Sequence, residues 1–460
     1  MKRIPVVILT IMLSGCSTLQ GIVDSISSGL SNIFAGSSNN DASSNSNPFF
    51  VRQNVAYSIR NSVDKVGNLY ISYQGQLPSV MTFVNGDGSV TVCSSDENAK
   101  ITYVYEYSMN LELQRTFNIQ NELGQLGAFT KDTDGNYYFF YGAETTNQNS
   151  ENMAMIKCDK NGAKIKSFKL KAKSSGRVDM DGIKIPFDAG TCRLELSGSM
   201  LAVYFAREMF SGHQASFGFV FDKDTFNRID IGAVTNPSNG KALQMPYVSH
   251  SFNQFILPIE GGFIFADHGD AYPRSFAFSH FQSDGGLIRL QAFKFPGQVG
   301  QNATYAEMGG LGKKSNGYIF VATYGKDIND ARNVLILTFD TNLAKCSAPM
   351  YITKYTKENG HAGHSKIVEL DSGRYLLLWE TFRFSTQAAN LIGQDPTGYL
   401  STYMLVIDEN GKAISEIKEM KGIRLNMNDV LRYNPQNGKV YWAINNSNKS
   451  ITTYALEVGK

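Results

Sequence analysis

Gly88-Ser-Val-Thr-Val-Cys93, Gly135-Asn-Tyr-Tyr-Phe-Phe140, Gly198-Ser-Met-Leu-Ala-Val203, Gly262-Phe-Ile-Phe-Ala266, Gly317-Tyr-Ile-Phe-Val321, Gly373-Arg-Tyr-Leu-Leu-Leu378 and Gly438-Lys-Val-Tyr-Trp442 are seven versions of one phrase. Each opens on a glycine, runs on in apolar and aromatic residues, and lies 47 to 65 residues from the next. A shorter strand-like run precedes each copy, such as Phe252–Ile256 or Lys366–Leu370. Most are followed by a run ending in Asp and a turn, as at Phe219–Asp222, Leu337–Asp340 and Leu405–Asp408. Apolar alternation with glycine turns means hairpins of half-buried strands. Three or four antiparallel strands repeated every 50 to 65 residues describe propeller blades. The expected fold is all-β: a seven-bladed β-propeller over residues 49–460.

The last copy leaves room for one more strand, Ile451–Val458, and no fourth. Gly67-Asn-Leu-Tyr-Ile-Ser-Tyr73 has the composition of the missing one, so the two chain ends are expected to share the closing blade. Six or eight blades stay open because Val55–Ile59 has no place in the count.

Composition agrees. Of 460 residues, 42% are hydrophobic, only 18% are charged, and 42 are Gly, which excludes a disordered chain or a coiled coil. The N-terminus reads as an export signal. Lys2 and Arg3 precede the short apolar run Ile4–Leu13, which is too brief to span a bilayer. It ends Leu13-Ser14-Gly15-Cys16, which resembles a bacterial lipobox. That resemblance implies cleavage after residue 15, lipidation of Cys16 and anchoring in a membrane. Cleavage removes two positive charges and takes the formal charge from +2 to zero, so no nucleic-acid partner is expected. Residues 16–48 then comprise the lipidated cysteine, an amphipathic run over Leu19–Phe34 and a Ser/Asn-rich tether. The expected location is the cell envelope, extracytoplasmic and lipid-anchored. Ser17, rather than Asp, after Cys16 resembles the outer-membrane sorting rule of envelopes that have one.

Polar clusters sit where several innermost strands begin: Pro186–Thr191 with Arg193, Ser249–Gln254, Ala306–Gly310, His361–Ser365 and Asn426–Asp429. Two more, Gly212–Gln214 and Asp267–Arg274, lie on blade loops. Five of the six histidines (His213, His250, His268, His361 and His364) fall within these clusters. With the lipobox and the repeat, Ser249-His-Ser-Phe-Asn-Gln254 and His268-Gly-Asp-Ala-Tyr-Pro-Arg274 resemble a group of bacterial propeller lipoproteins. The resemblance covers most of residues 185–380 and implies the fold and a shared site, without an activity.

Because a propeller brings the same end of every inner strand to one axis, His250, His268 and His364 are expected to face a common cavity, within about 12 Å of one another. Asp270 and Arg274 are expected on its wall and Glu307 nearby. Arg193, His213, Asn253 and His361 complete the candidate ligand-binding set. Three readings stay open. A ring binding a protein, glycan or small molecule needs polar groups spread round the mouth. A lyase or hydrolase acting on carbohydrate or peptide fragments needs a carboxylate and a His as acid and base, with an Arg for a substrate acid; His250, Asp270 and Arg274 offer that trio. A divalent metal, the one cofactor in view, would draw on His250 and His364, with His361, Glu307 and Asp270. Against all three stands a plain structural role in tying loops together. No catalytic residue is singled out, and a binding module is the leading expectation.

Marks of other propeller chemistries are missing. There is no Ser-x-Asp-x-Gly-x-x-Trp turn, and two Trp are too few for Trp-docking repeats. Cys93, Cys158, Cys192 and Cys346 fall in four repeats and are expected to be free thiols. Trp379 and Trp442 are expected in the core. The Gly-Gly pairs at 261–262, 285–286 and 309–310 read as turns.

Overall fold

The computed structural model describes residues 48–59, 76–173, 182–229, 246–282, 287–301, 303–371, 373–384 and 398–459, together with 234–235 and 242–243. The lipobox, the amphipathic run and Gly67–Tyr73 lie outside the described residues. Backbone contacts divide the chain into Met1–Asn45 and Ser46–Lys460. Everything below concerns the second unit.

Among the described residues there are seven four-stranded antiparallel sheets and a two-residue ladder, Val234–Thr235 with Ala242–Leu243. The inner strands are Val80–Val84, Gln125–Lys131, Cys192–Ser197, Ser251–Ile259, Ala306–Lys314, His361–Glu369 and Arg432–Asn434. Each packs against the next and the seventh against the first, closing a seven-bladed propeller. The seven glycine phrases are the second strands, from Val90–Asp96 to Lys439–Ser447.

The turn chemistry explains why the phrase recurs. Gly88, Gly135, Gly198, Gly317, Gly373 and Gly438 all have positive φ where the inner strand reverses, and Gly261 serves the fourth blade. The Asp that ends a third strand caps the turn after it. Asp159 Oδ1 accepts the backbone N–H of Asn161 and Ala163, both at 2.8 Å, and Asp408 Oδ1 those of Asn410 and Lys412 at 2.9 Å. Within their blades Trp379 and Trp442, each 1% exposed, stack on the cross-strand Tyr403 and Tyr454. The four described cysteines are free, Cys93, Cys158 and Cys192 fully in the interior.

Three expectations need correction. The closing strand is Phe49–Asn54, which pairs with Ser450–Glu457 as the outermost strand of the seventh blade, from Phe49 opposite Ala455 to Asn54 opposite Ser450. It supplies the edge that Gly67–Tyr73 was expected to fill. Val55, Tyr57 and Ile59 are buried just after it, against Val80, Val92 and Tyr441, so they seal the joint between the last and first blades. The pair Gly309–Gly310 is no turn but a bulge inside the fifth inner strand, where the register slips between Met308 and Gly310. A Cβ on Gly309 would lie 2.3 Å from Ser365 Oγ of the neighbouring inner strand, so close approach of backbones is what demands glycine there. The third blade also departs from the pattern: Ile185–Pro186 extends along the end of its second strand beside Cys192–Ser197.

Candidate functional site

Two sets of polar groups form at the end of the disc where the inner strands begin. The first lies on the axis. Its hub is the turn Asn426–Asp429, ahead of the seventh inner strand. Asn426 Oδ1 accepts the N–H groups of Asn428 and Asp429, both at 3.1 Å, while its amide donates to Val80 O and Ala443 O at 2.8 and 2.9 Å. So braced, the turn receives side chains from other blades. Lys366 Nζ donates to Met427 O at 2.8 Å, the backbone N of Gln76 to Asn428 Oδ1 at 3.0 Å, and the backbone N of Thr82 to Asp429 Oδ2 at 2.8 Å. Arg193 donates Nε to Gln254 O at 2.9 Å and lays its guanidinium over Phe255 at 4.5 Å. Asn253 Oδ1 accepts from Thr191 Oγ1 at 3.1 Å. Below them Arg432 meets Glu195 at 3.2 Å.

Beside this hub, His364 and Glu380 form a buried pair. His364 Nδ1 lies 2.6 Å from Glu380 Oε2, and both side chains are fully enclosed. Glu380 Oε1 also accepts Arg424 Nε at 2.9 Å and the N–H of Leu425 at 2.8 Å. Burial would raise the Glu380 carboxyl, but the Arg424 and His364 charges and hydrogen bonds outweigh it and hold the group at about 2. Nδ1 faces the Glu380 carboxylate, and Nε2 is buried with no hydrogen-bond partner among the described residues. Glu307 Oε2 accepts the backbone N–H of His364 at 3.1 Å. Burial, reinforced by the Arg193 charge, pushes the Lys366 ammonium down to about 7, and burial lowers Arg193 to about 10.

The second set lies between the third and fourth blades. The rings of His213 and His250 are 5.2 Å apart, His213 Nε2 lies 3.1 Å from Ser249 Oγ, and His250 Nδ1 lies 3.6 Å from Asp270. Burial lowers both histidines, so the pair is neutral near pH 7. Asp270 is bound to Arg274, which in turn donates to Pro296 O at 3.0 Å and Ala303 O at 2.8 Å. This Asp–Arg pair therefore staples a loop, the plain structural role. His250 and His364 share one backbone peculiarity: both have a left-handed φ, +50° and +51°, His250 just ahead of a register slip in the fourth inner strand and His364 within the slip of the sixth.

The histidines expected in one cavity thus have different surroundings. His250 pairs with His213, and His364 with Glu380. His268 is sealed in an aromatic box of Phe252, Phe276 and Phe295, with ring centroids 5.2 to 5.5 Å away and Nε2 2.8 Å from Thr304 Oγ1. It is 0% exposed. His361 is likewise enclosed, near Phe384, and is held neutral, at about 3, by burial and the Arg332 charge. A divalent metal finds no seat among the described residues: no three His, Cys, Asp or Glu side chains are grouped to hold one.

Sequence reading missed Lys366, Glu380 and Arg424. The first two sit inside apolar runs, Lys366-Ile-Val-Glu-Leu370 and Leu376-Leu-Leu-Trp-Glu380, and a charge at a buried strand position was the available signal. At its other mouth, where the inner strands end, the channel opens into a cavity of about 520 Å³ walled by Phe83, Leu257, Leu311, Ile367 and Tyr433 together with the charged Glu195, Lys313, Glu369 and Arg432.

No protein-family model and no curated protein matches this chain. Among solved structures it is similar to an oligogalacturonate lyase in complex with manganese, at 10% identity and a TM-score of 0.44, over 90% of this chain and 97% of that one. It is also similar to a protein of unknown function from Dyadobacter fermentans (9% identity, TM-score 0.41, 87% and 100% covered). A β-1,3-galactosidase of glycoside hydrolase family 43 follows at 12% identity and 0.33, over 66% and 97%. The likeness is one of architecture.

Proposed function

We propose that this chain is an extracytoplasmic lipoprotein, held on a membrane through Cys16, whose propeller is a binding module working at the polar mouth of its channel. One observation carries the reading. Gln76, Arg193, Gln254, Glu307, Lys366 and Asp429 come from six different blades to one axial end, and every one of them is buried. Ring closure needs only the apolar faces between blades, and burying charged groups on the axis is costly. A ligand that meets them there gives the arrangement a use. The test is a thermal-shift screen of the full chain against oligosaccharides, peptides and small acids. A ligand whose stabilisation disappears in Arg193→Gln is the expected result. Ligands that stabilise wild type and both Arg193→Gln and Lys366→Met equally would overturn the assignment to this mouth.

A second reading, an enzyme acting on carbohydrate or peptide fragments at the same place, draws on the His364–Glu380 pair. A buried carboxylate fixing the Nδ1–H of a histidine is how a general base is oriented. If it holds, His364→Gln abolishes turnover of a bound fragment while leaving its binding within a few-fold.

A further inference from the structure

At the end of the channel away from the Asn426–Asp429 turn, the wall of the 520 Å³ cavity is mostly apolar. Of the twenty residues round it fourteen are apolar, two are glycines and four are charged. Phe83, Leu257, Leu311, Val368 and Tyr433 come from five different blades, and all five stay half-buried on walls that the strands hold apart. Apolar surface left open in a concave place with a polar rim is the setting of a ligand site.

The four charges come in opposite pairs. Arg432 Nη2 lies 3.2 Å from Glu195 Oε1, and because the third and seventh blades are not neighbours, this ion pair crosses the channel. Arg432 is fixed there by its Nε, which donates to Thr82 O at 3.1 Å. The same pair lines a hollow of about 30 Å³ beside Arg193 and Asp429, so the channel narrows at it and the larger cavity has it as a floor. Lys313 and Glu369, exposed near the ends of neighbouring inner strands, interact electrostatically with each other. Two acids against two bases leave the wall with no net formal charge. An ion entering would give up its hydration and find each wall charge already matched.

We propose that this cavity is a binding site of its own, which seats an uncharged, largely apolar small molecule. The volume falls within the roughly 300–1,000 Å³ of small-molecule pockets. The floor stops a chain from threading through. The inference goes beyond the binding reading above, and neither needs the other.

Fluorescence titration of the full chain in detergent tests this with N-phenyl-1-naphthylamine, a neutral apolar probe, and 8-anilinonaphthalene-1-sulfonate, the same framework with a negative charge. The micelles take up probe equally for every variant, so the difference between variants reads the cavity. The neutral probe is expected to bind one-to-one and at least about tenfold more tightly than the sulfonate. Leu311→Phe and Val368→Phe, which fill the cavity from two blades, should each weaken it by about tenfold or more. Leu113→Phe places the same bulk on the outer strand of the first blade, Leu113–Gln120, where Leu113 is 46% exposed, and should bind as wild type does. A reading that needs no substitution comes from methyl-labelled wild type, in which the probe should show Overhauser contacts to Leu257, Leu311 and Ile367. The proposal falls if no saturable binding exceeds the detergent blank, or if both cavity variants bind as wild type does. It falls equally if Leu113→Phe weakens binding as much as they do, if those methyl contacts are missing, or if the sulfonate binds as tightly as the neutral probe.

Discussion

Lys366 and Glu380 are both buried, yet their surroundings drive them to opposite ends of their titrations. Glu380 has a cation and a histidine against it and stays ionised; Lys366 is held down chiefly by burial, with Arg193 adding to it and the Glu307, Asp429 and Glu380 charges offsetting only part. The consequences for stability differ in sign. The Lys366 amine binds its proton less tightly folded than unfolded, with a pKa of about 7 against 10.5, so it opposes folding most fully below about pH 7 and ceases to do so by about pH 10.5. Lys366→Met should therefore raise the thermal midpoint at about pH 6, with the gap to wild type closing toward pH 10. An equal gap at both pH values would show that the amine titrates normally. Glu380 stabilises above its unfolded value of 4.5, and that contribution is lost as the pH falls toward 2. Glu380→Gln removes the charge from a buried carboxylate that holds both Arg424 and His364, and urea denaturation at neutral pH should show a loss of about 3–5 kcal/mol. A loss below about 1 kcal/mol would place the pair in the class of exposed ion pairs.

Among the elements, the adjacent inner strands of the fifth and sixth blades both slip in register. Gly309 and Gly310 let the fifth strand bulge against Ser365, and the sixth slips between Gly363 and Lys366, the step that carries His364. A methyl at Gly309 has to displace backbone as well as Ser365 Oγ, since Ser365 O is 2.5 Å from it. Gly309→Ala should cost about 1–3 kcal/mol and disturb the His364–Glu307 contact, read as a lower denaturation midpoint and a shifted His364 ring resonance. An unchanged midpoint would mean that the two strands are not held this close. The seventh blade depends on Phe49–Asn54, the outer strand that arrives from the other end of the chain. Deleting residues 19–46 should leave the thermal midpoint nearly unchanged, whereas deleting residues 19–54 should lower it by uncovering the edge of Ser450–Glu457. Equal midpoints for the two deletions would contradict closure through this strand.

For the whole molecule, closure and anchoring are separate properties. Removing residues 451–460 takes the strand between Lys439–Ser447 and Phe49–Asn54, leaving a gap in the ring, and the body should unfold or aggregate. Cys16→Ser should leave folding intact and move the protein out of the detergent phase in Triton X-114 partitioning. If the variant still partitions with the detergent, lipid on Cys16 is not the anchor.

Seven blades, the buried tryptophans, the free cysteines and the glycine and Asp turns were all legible in the chain, because each rests on short-range rules: alternation, positive φ, side-chain capping. The identity of the closing strand was not. Phe49–Asn54 and Gly67–Tyr73 both look like strands, and only the register against Ser450–Glu457 selects the first. Nor could the site be read from its histidines. His361 and His364 lie on an inner strand and pack against different neighbours, while His268 ends a second strand and enters a box of phenylalanines, and that choice is made by tertiary packing. Lys366, Gln76 and Arg193 come from blades far apart in sequence, and closing the ring is what brings them to one axial end.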